Sequence, residues 1–246
     1  MLIYGRHAVE EALAGAHVER IFVARGVAQT TVRDLERAAK DANVPLEFVP
    51  RIDLDRALKT TDHQGIAAEL PELTYADADA PFELAAARSE RLLIVALDQI
   101  TDPRNYGAII RSAEALGAHG VVTEARRSPP LSATVAKAAA GAASHLPLVQ
   151  VTNLPTYLEG LKERNVWVYG SAGDGDVAPR RVDWDRDVAL VIGAEGHGMR
   201  RLVRERCDEV LHVRLRGRVG SLNASVAAGI LLHEIVSGRA ELARDA

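Results

Sequence analysis

The chain has 246 residues, 48% of them hydrophobic and 26% charged, with a formal net charge of −4. This is enough apolar material for one large domain or two modest ones, and it excludes both a disordered polyelectrolyte and a uniformly basic nucleic-acid coat. No run approaches the ~18 apolar residues of a membrane span, and the opening MLIYGRHAVEEALAG brings its glutamates too early for a secretion signal, so the cytoplasm is the expected compartment.

Residues 1–72 read as a small α/β unit. RIFVA (20–24), LEFV (46–49) and GIAAEL (65–70) have the length and apolar content of short strands. TTVRDLERAAKDAN between them reads as a helix, with Thr31 and Asp34 spaced like a capping box. The stretch PELTYADADAPFELAAARSER (71–91) carries two prolines, small residues and acids, and its residues 73–90 read as a linker with a helical end.

From Leu92 the pattern changes, and residues 91–246 read as a second domain. LLIVAL (92–97), GVV (120–122), LPLVQV (146–151), VWVYG (166–170), VALVI (188–192) and EVLHVRL (209–215) are near-continuous apolar runs, the signature of strands covered on both faces. Helical patterns alternate with them at 107–117, 131–143, 154–165, 199–206 and 222–236. The expected fold is an α/β open parallel sheet whose ligand lies beyond the carboxyl ends of the strands.

Three strand-to-helix junctions in this domain are unusual. DPRNYGAIIRSAEALGA (102–118) follows a strand, where a phosphate-cradling turn would sit, yet it lacks the glycines for one. Asn105 is a candidate N-cap, and Gly107 permits close backbone approach. On a helix Ile109, Ala113 and Leu116 share a face, and Arg111 points away from it. VIGAEGHGMRRL (191–202) places Gly193, Gly196 and Gly198 for a backbone folded tightly against a ligand. Glu195 within it would repel a pyrophosphate, so the ligand there is uncharged or cationic. In LRGRVGSLNASVAAGILLHEI (215–235), Ser221, Asn223 and Ser225 gather at the start of an apolar helix. One of them suffices as a cap, which leaves a hydroxyl and an amide for a substrate.

Arginines crowd the same region. Arg200, Arg201, Arg204, Arg206, Arg214, Arg216 and Arg218 face only Glu205, Asp208 and Glu209 in the local sequence, the balance of a polyanion-binding surface. Other constellations fail. The single cysteine, Cys207, has no disulfide partner, and no Cys/His grouping has zinc spacing, so no metal is expected. There is no G-x-S-x-G elbow and no G-x-x-x-x-G-K-[ST] phosphate loop.

The three loops, in this order, resemble the three motifs of the SpoU branch of the SPOUT RNA methyltransferases: NYGAIIR (105–111), VIGAEGHGM (191–199) and GSLNASVAAGILLHE (220–234). YGRHAVEEAL and DHQGIAAEL in the amino-terminal part resemble the RNA-binding extension of the group that methylates a guanosine ribose in 23S ribosomal RNA. The resemblance implies a trefoil-knotted domain working as a homodimer, with S-adenosylmethionine held in the knot. It carries Arg111, Asn105, Glu195, Ser221 and Asn223 as functional polar residues, and Gly193, Val213 and Leu222, with Gly196 and Gly198, as the cofactor wall. Arg200, Arg201, Arg216 and Arg218 are the expected RNA contacts. The sequence departs from the family where Arg214 and Leu215 replace a usual proline and methionine, Gly220 a common serine, and Ala224 a usual valine.

The expected activity is transfer of a methyl group to a ribose 2′-hydroxyl of 23S ribosomal RNA. Three other readings compete with it. One is the same chemistry on tRNA or on another ribosomal site, as in resistance enzymes. Another is a non-catalytic ribosomal-RNA-binding assembly factor, and the last a nucleotide-dependent oxidoreductase, which Glu195 and the order of the loops disfavour.

Overall fold

The structure is a computed structural model that describes residues 1–15 and 18–245. Two sheets form. The first contains strands β1 (Leu2–Tyr4), β2 (Arg20–Ala24), β3 (Leu46–Val49) and β4 (Ile66–Glu69) in the order β1-β4-β2-β3. β4 runs antiparallel to both β1 and β2, and β2 runs parallel to β3. Alternation along β2 sorts its side chains. Ile21 and Val23 are buried in a cluster with Val9 and Ala12 of helix α1 (Arg6–Gly15) and with Leu35 and Ala39 of α2 (Gln29–Asp41). Ala24 turns to the other face, against Leu54 of α3 (Arg51–Leu58).

The capping box expected at Thr31 and Asp34 does not form. α2 begins at Gln29, its N-cap is Ala28, and no side chain caps it. Thr31 and Asp34 instead receive Arg6 of α1, at 3.4 and 3.2 Å, and tie the two helices together. The histidine of DHQG is structural. His63 is fully buried, 2.7 Å from Asp55, and its Nδ1 accepts the amide of Gly65 at 3.0 Å. Gly65 takes φ +76°, which only glycine adopts without strain.

The second sheet has six strands, all parallel, in the order β10-β8-β9-β5-β6-β7. These are β5 (Leu93–Asp98), β6 (Gly120–Glu124), β7 (Leu148–Val151), β8 (Trp167–Ser171), β9 (Val188–Gly193) and β10 (Glu209–Leu211). Every residue of β5 is buried. Leu93, Val95 and Leu97 pack on one face with α5 (Pro103–Ala115) and α9 (Ala224–Asp245). Ile94 and Ala96 pack on the other with α7 (Leu154–Glu163). Burying one such aliphatic side chain contributes about 1.5–3 kcal/mol, so the central strands alone outweigh any surface feature.

The strand order reverses once. The chain builds β5, β6 and β7 outward, returns to lay β8 beyond a gap, and fills that gap with β9. Such a switch point opens a crevice at the carboxyl edge of an α/β sheet.

Several expected boundaries move. The run 209–215 pairs only as far as Leu211, because the chain then leaves the sheet. The last helix starts at Ala224 rather than 222 and runs on to Asp245. The helix expected at 199–206 shrinks to α8 (Arg201–Arg204), and that at 131–143 to α6 (Ala133–Ala139) followed by a 3-10 turn. Residues 73–90 are not a free linker. The Ala76 amide donates to Leu148 O at 2.7 Å, and α4 (Ala80–Arg88) buries Pro81 and Ala85 against the second sheet.

Candidate active site

The three unusual loops meet. Glu195, in the loop after β9, offers one carboxylate oxygen to three donors. The Asn105 amide reaches Oε1 at 3.0 Å, the Ala224 backbone N–H reaches it at 3.2 Å, and the Asn223 amide also donates to it. The Asn223 amide further contacts Asn105 Oδ1 at 2.9 Å. These residues are 90 and 28 positions apart in the chain, yet they form one polar clasp over the edge of the sheet.

The clasp changes the local roles expected at two of the three helix starts. Asp102, not Asn105, caps α5, accepting the Arg104 amide at 2.9 Å. Asn105 therefore lies inside the first turn of α5, free to reach across to Glu195. Gly107 serves helix packing and not a ligand: a β-carbon there would lie 2.5 Å from Ala138 Cβ and 2.6 Å from Val135 O of α6. Asn223, not Ser221, caps α9. Its Oδ1 accepts the amides of Ser225 at 2.9 Å and Val226 at 3.3 Å. Ser221 stands exposed on the loop before the helix.

Behind the clasp is a cavity of about 480 Å³ at the carboxyl ends of β8, β9 and β10. Gly193, Gly196, Gly198, Val213, Ser221 and Leu222 all line it. The β9 loop closes on itself through two backbone bonds between Ala194 and Gly198, at 3.1 and 2.9 Å. Any side chain at position 193 would strike the backbone of Gly198 and Met199, so glycine is obligatory there. Ile192, Leu211 and Leu231 form an apolar floor. The one arginine on the wall, Arg204, is held by Asp174 at 2.8 Å, and that pairing keeps the Asp174 carboxyl below its usual range. The cavity thus has an apolar floor, walls rich in backbone groups and the Glu195 carboxylate at its edge, with Asp174 and Arg204 offsetting each other, which suits a nucleoside carrying positive charge and not a free phosphate.

Arg111 stands apart from this cavity. It lies on the exposed side of α5, six residues beyond Asn105, or about 9 Å along the helix. Its guanidinium is 3.6 Å from Glu11 of α1, with both side chains more than half exposed.

The arginine-rich segment divides in two. Arg200 turns inward: its Nε donates to Asp98 Oδ1 at 2.6 Å, its backbone N–H to Oδ2 at 2.7 Å, and its other arm to Glu124. Asp98 ends β5 and is fully buried, and Glu124 ends β6. Arg200 therefore pins the β9 loop to the sheet, which the sequence reading as an RNA contact did not anticipate. Arg201 pairs with Glu205 at 2.6 Å and Arg206 with Glu159 at 3.6 Å. Arg214, Arg216 and Arg218 are exposed and make no ion pair among the described residues. Asp98 and Glu124 were not singled out from the sequence. A lone acid closing an apolar strand is the signal that would have found each. Among the described residues no cluster of three or more His, Cys, Asp or Glu side chains is arranged to hold a metal, and no helix is long and apolar enough to cross a membrane.

Comparison with known proteins agrees with this architecture. Residues 92–233 match the SpoU rRNA Methylase family, and residues 2–76 match the RNA 2'-O ribose methyltransferase substrate binding family. YacO of Bacillus subtilis strain 168, assigned to the TrmH family of tRNA/rRNA methyltransferases, is 39% identical over 238 residues, covering 96% of this chain and 95% of its own. The crystal structure of the SpoU methyltransferase AviRb from Streptomyces viridochromogenes with AdoMet superimposes with a TM-score of 0.71 at 25% identity. That match covers 98% of this chain and 91% of AviRb. The TrmH/SpoU tRNA modifying enzyme of A. aeolicus, also at 25% identity, has a TM-score of 0.56 and covers 63% of this chain and 78% of its own. With both parts of the chain matched and the motif loops meeting over one cavity, the chain belongs to the SpoU/TrmH family and is an S-adenosylmethionine-dependent RNA 2'-O ribose methyltransferase of the tRNA/rRNA class.

Proposed function

We propose that this enzyme methylates the 2′-hydroxyl of a guanosine in 23S ribosomal RNA, in the cytoplasm and as a homodimer. The observation that carries the ribosomal target is the amino-terminal unit, residues 1–72. The A. aeolicus tRNA enzyme matches 63% of this chain, whereas residues 2–76 match the RNA 2'-O ribose methyltransferase substrate binding family. A substrate-binding unit of this kind gives the enzyme a second grip on a large folded RNA, outside the reacting nucleotide.

S-adenosylmethionine supplies an activated methyl group on a positively charged sulfur. Gly193, Gly196, Gly198, Val213 and Leu222 hold it through backbone groups and apolar contact, and the carboxylate edge of the cavity favours its charge. The clasp of Asn105, Glu195 and Asn223 fixes the loops on which Ser221 is presented, and Ser221 orients the ribose. Arg111 binds the adjoining RNA phosphate or the developing alkoxide and lowers the cost of that charge. It does not remove the hydroxyl proton itself, because a guanidinium stays protonated at physiological pH. The 2′-hydroxyl would take the methyl group from the bound cofactor as its proton passes to the adjoining phosphate or a water, and the trefoil knot of the family would keep the cavity walls from parting.

The dimer reading rests on α9. Val226 on its outer face is 49% exposed, and Val219 on the preceding loop is 74% exposed. Apolar surface of this kind beside a functional loop fits a second copy of the chain.

Mapping ribose methylation in ribosomal RNA and tRNA from cells with and without the protein tests the target. Loss of one guanosine methylation in 23S RNA is the expected result, and loss confined to tRNA overturns it. Arg111→Ala should bind S-adenosylmethionine normally by calorimetry and lose most turnover. Near-normal kcat in that variant would remove Arg111 from the mechanism. Arg111→Lys separates plain charge, which it keeps, from the planar fork, which it lacks.

A further inference from the structure

A second groove, of about 700 Å³, lies on the far side of the segment that walls the cofactor cavity. Val213 borders both. Arg180 and Arg181 enter it from a 3-10 turn (Pro179–Arg181), Arg214 and Arg216 from the chain after β10, and Ile230 and Glu234 from α9. Its walls are fixed by backbone. The Val177 amide donates to Val210 O at 3.1 Å, and the His212 amide donates to Val177 O at 3.0 Å, so the two arginine-bearing segments cannot drift apart.

The charge balance of the groove is one-sided. Four arginines line it against Asp176 and Glu234. Only Arg180 has an ion pair there, with Glu234 at 3.4 Å, and its side chain is 86% exposed. Arg181, Arg214 and Arg216 make no ion pair among the described residues. By contrast, Arg200, Arg201, Arg204 and Arg206 are all held by the protein's own carboxylates. Surface arginines that are spaced together, fixed and unneutralised repel one another, and a bound polyanion relieves that repulsion.

We infer that this groove binds the sugar–phosphate backbone of the RNA strand that enters the active site, with Arg181, Arg214 and Arg216 on its phosphates and Arg180 exchanging Glu234 for a phosphate. The inference rests on the RNA methyltransferase reading and adds to it a second track beside the cofactor cavity. A second copy of the chain is the weaker occupant. Two-fold symmetry would bring the same surplus of arginines to face itself, with only Asp176 and Glu234 of each copy to offset four arginines. The position explains one departure from the family: Arg214, where a proline is usual, adds a cation directly over the groove.

The test uses the full-length protein and a fluorescein-labelled single-stranded oligouridine, with anisotropy read over a series of KCl concentrations. Each phosphate contact on a single strand contributes about 0.7 to the slope of log K against log salt. Arg181→Gln with Arg214→Gln should therefore flatten the slope by about 1.4, and S-adenosylmethionine affinity, measured by calorimetry, should stay within twofold. That retained affinity also reports that the double variant is folded. An unchanged slope overturns the inference. So does an unchanged slope joined to a shifted monomer–dimer equilibrium in sedimentation, which assigns the groove to a second copy. The outcome is separable from the enzyme reading. A protein that methylates RNA with an unaltered slope loses the groove and keeps the activity. A parent protein that binds no S-adenosylmethionine, with a double variant that keeps the parent's circular dichroism and shows the flattened slope, loses the activity and keeps the groove.

Discussion

Replacing Arg200 by methionine separates two readings of the arginine-rich segment. Met keeps much of the side-chain volume and removes the charge. Asp98 is fully buried and loses its side-chain partner, keeping only the backbone N–H of residue 200, while Glu124, with a side chain 9% exposed, is left with Arg127 at 3.6 Å. Breaking a buried ion pair by removing one partner costs about 3–5 kcal/mol, because a desolvated charge is left behind. Arg200 is itself 22% exposed, so water relieves part of this, and about 3 kcal/mol is the working value. At roughly 2–4 °C per kcal/mol for a chain of this size, Tm should fall by about 6–12 °C in differential scanning calorimetry. Adding Asp98→Asn to Arg200→Met should restore part of that loss. The salt dependence of RNA binding should match the parent protein under conditions where both are folded. A Tm within 2 °C of the parent, together with a slope reduced by one phosphate contact, would refute the structural role and return Arg200 to the RNA surface.

Three further outcomes follow from the structure. Burial pushes the Cys207 thiol up to about 12, helped by neighbouring Asp208, so the native protein should not react with a disulfide reagent at pH 8 until denaturant is added; prompt labelling would contradict its packing. Burial, against the pull of Glu90, holds His119 below the ordinary histidine range, so the unfolded chain takes up that proton first as pH falls. Stability measured by urea titration should drop from pH 7 towards pH 5.5, and His119→Gln should flatten that drop; an identical pH profile in the variant would exclude this histidine. Glu11→Gln frees Arg111 from an exposed pair worth at most about 1 kcal/mol, so KM for RNA should fall by no more than about fivefold at low salt, with kcat nearly unchanged; a raised KM would show that Glu11 aids binding rather than competes with it.

The strands of the second sheet were legible because burial on both faces leaves an unbroken apolar run, and β9 at Val188–Gly193 extends the expected 188–192 by one residue. The site loops were legible because glycines, asparagines and serines interrupt those runs where a parallel sheet presents its ligand edge. Contacts made over long separations were not. Arg200 reaches Asp98 across 102 residues, and nothing near either of them in the chain announces the pair. Gly107 invites a ligand reading until Ala138 is seen beside it. At α5 the cap at Asp102 leaves Asn105 for Glu195, whereas at α9 Asn223 does both, capping through Oδ1 and bonding Glu195 through its amide, and sequence propensity does not distinguish these arrangements. β10 ended early because Val213 and Leu215 were needed on a cavity wall, a demand that a strand-like pattern does not encode.

The bond from the Ala224 amide to Glu195 has a consequence for the life of the protein in time. The last wall of the cavity is the first turn of α9, so during synthesis every described strand of both sheets leaves the ribosome before the cavity is complete. A chain stopped at residue 211 carries all ten strands of the described residues and two of the three motif loops, yet it lacks Asn223 and the backbone donor that close the clasp. Copies that end before Asn223 therefore lack the groups that close the clasp, and the cavity is complete only once the first turn of α9 has formed.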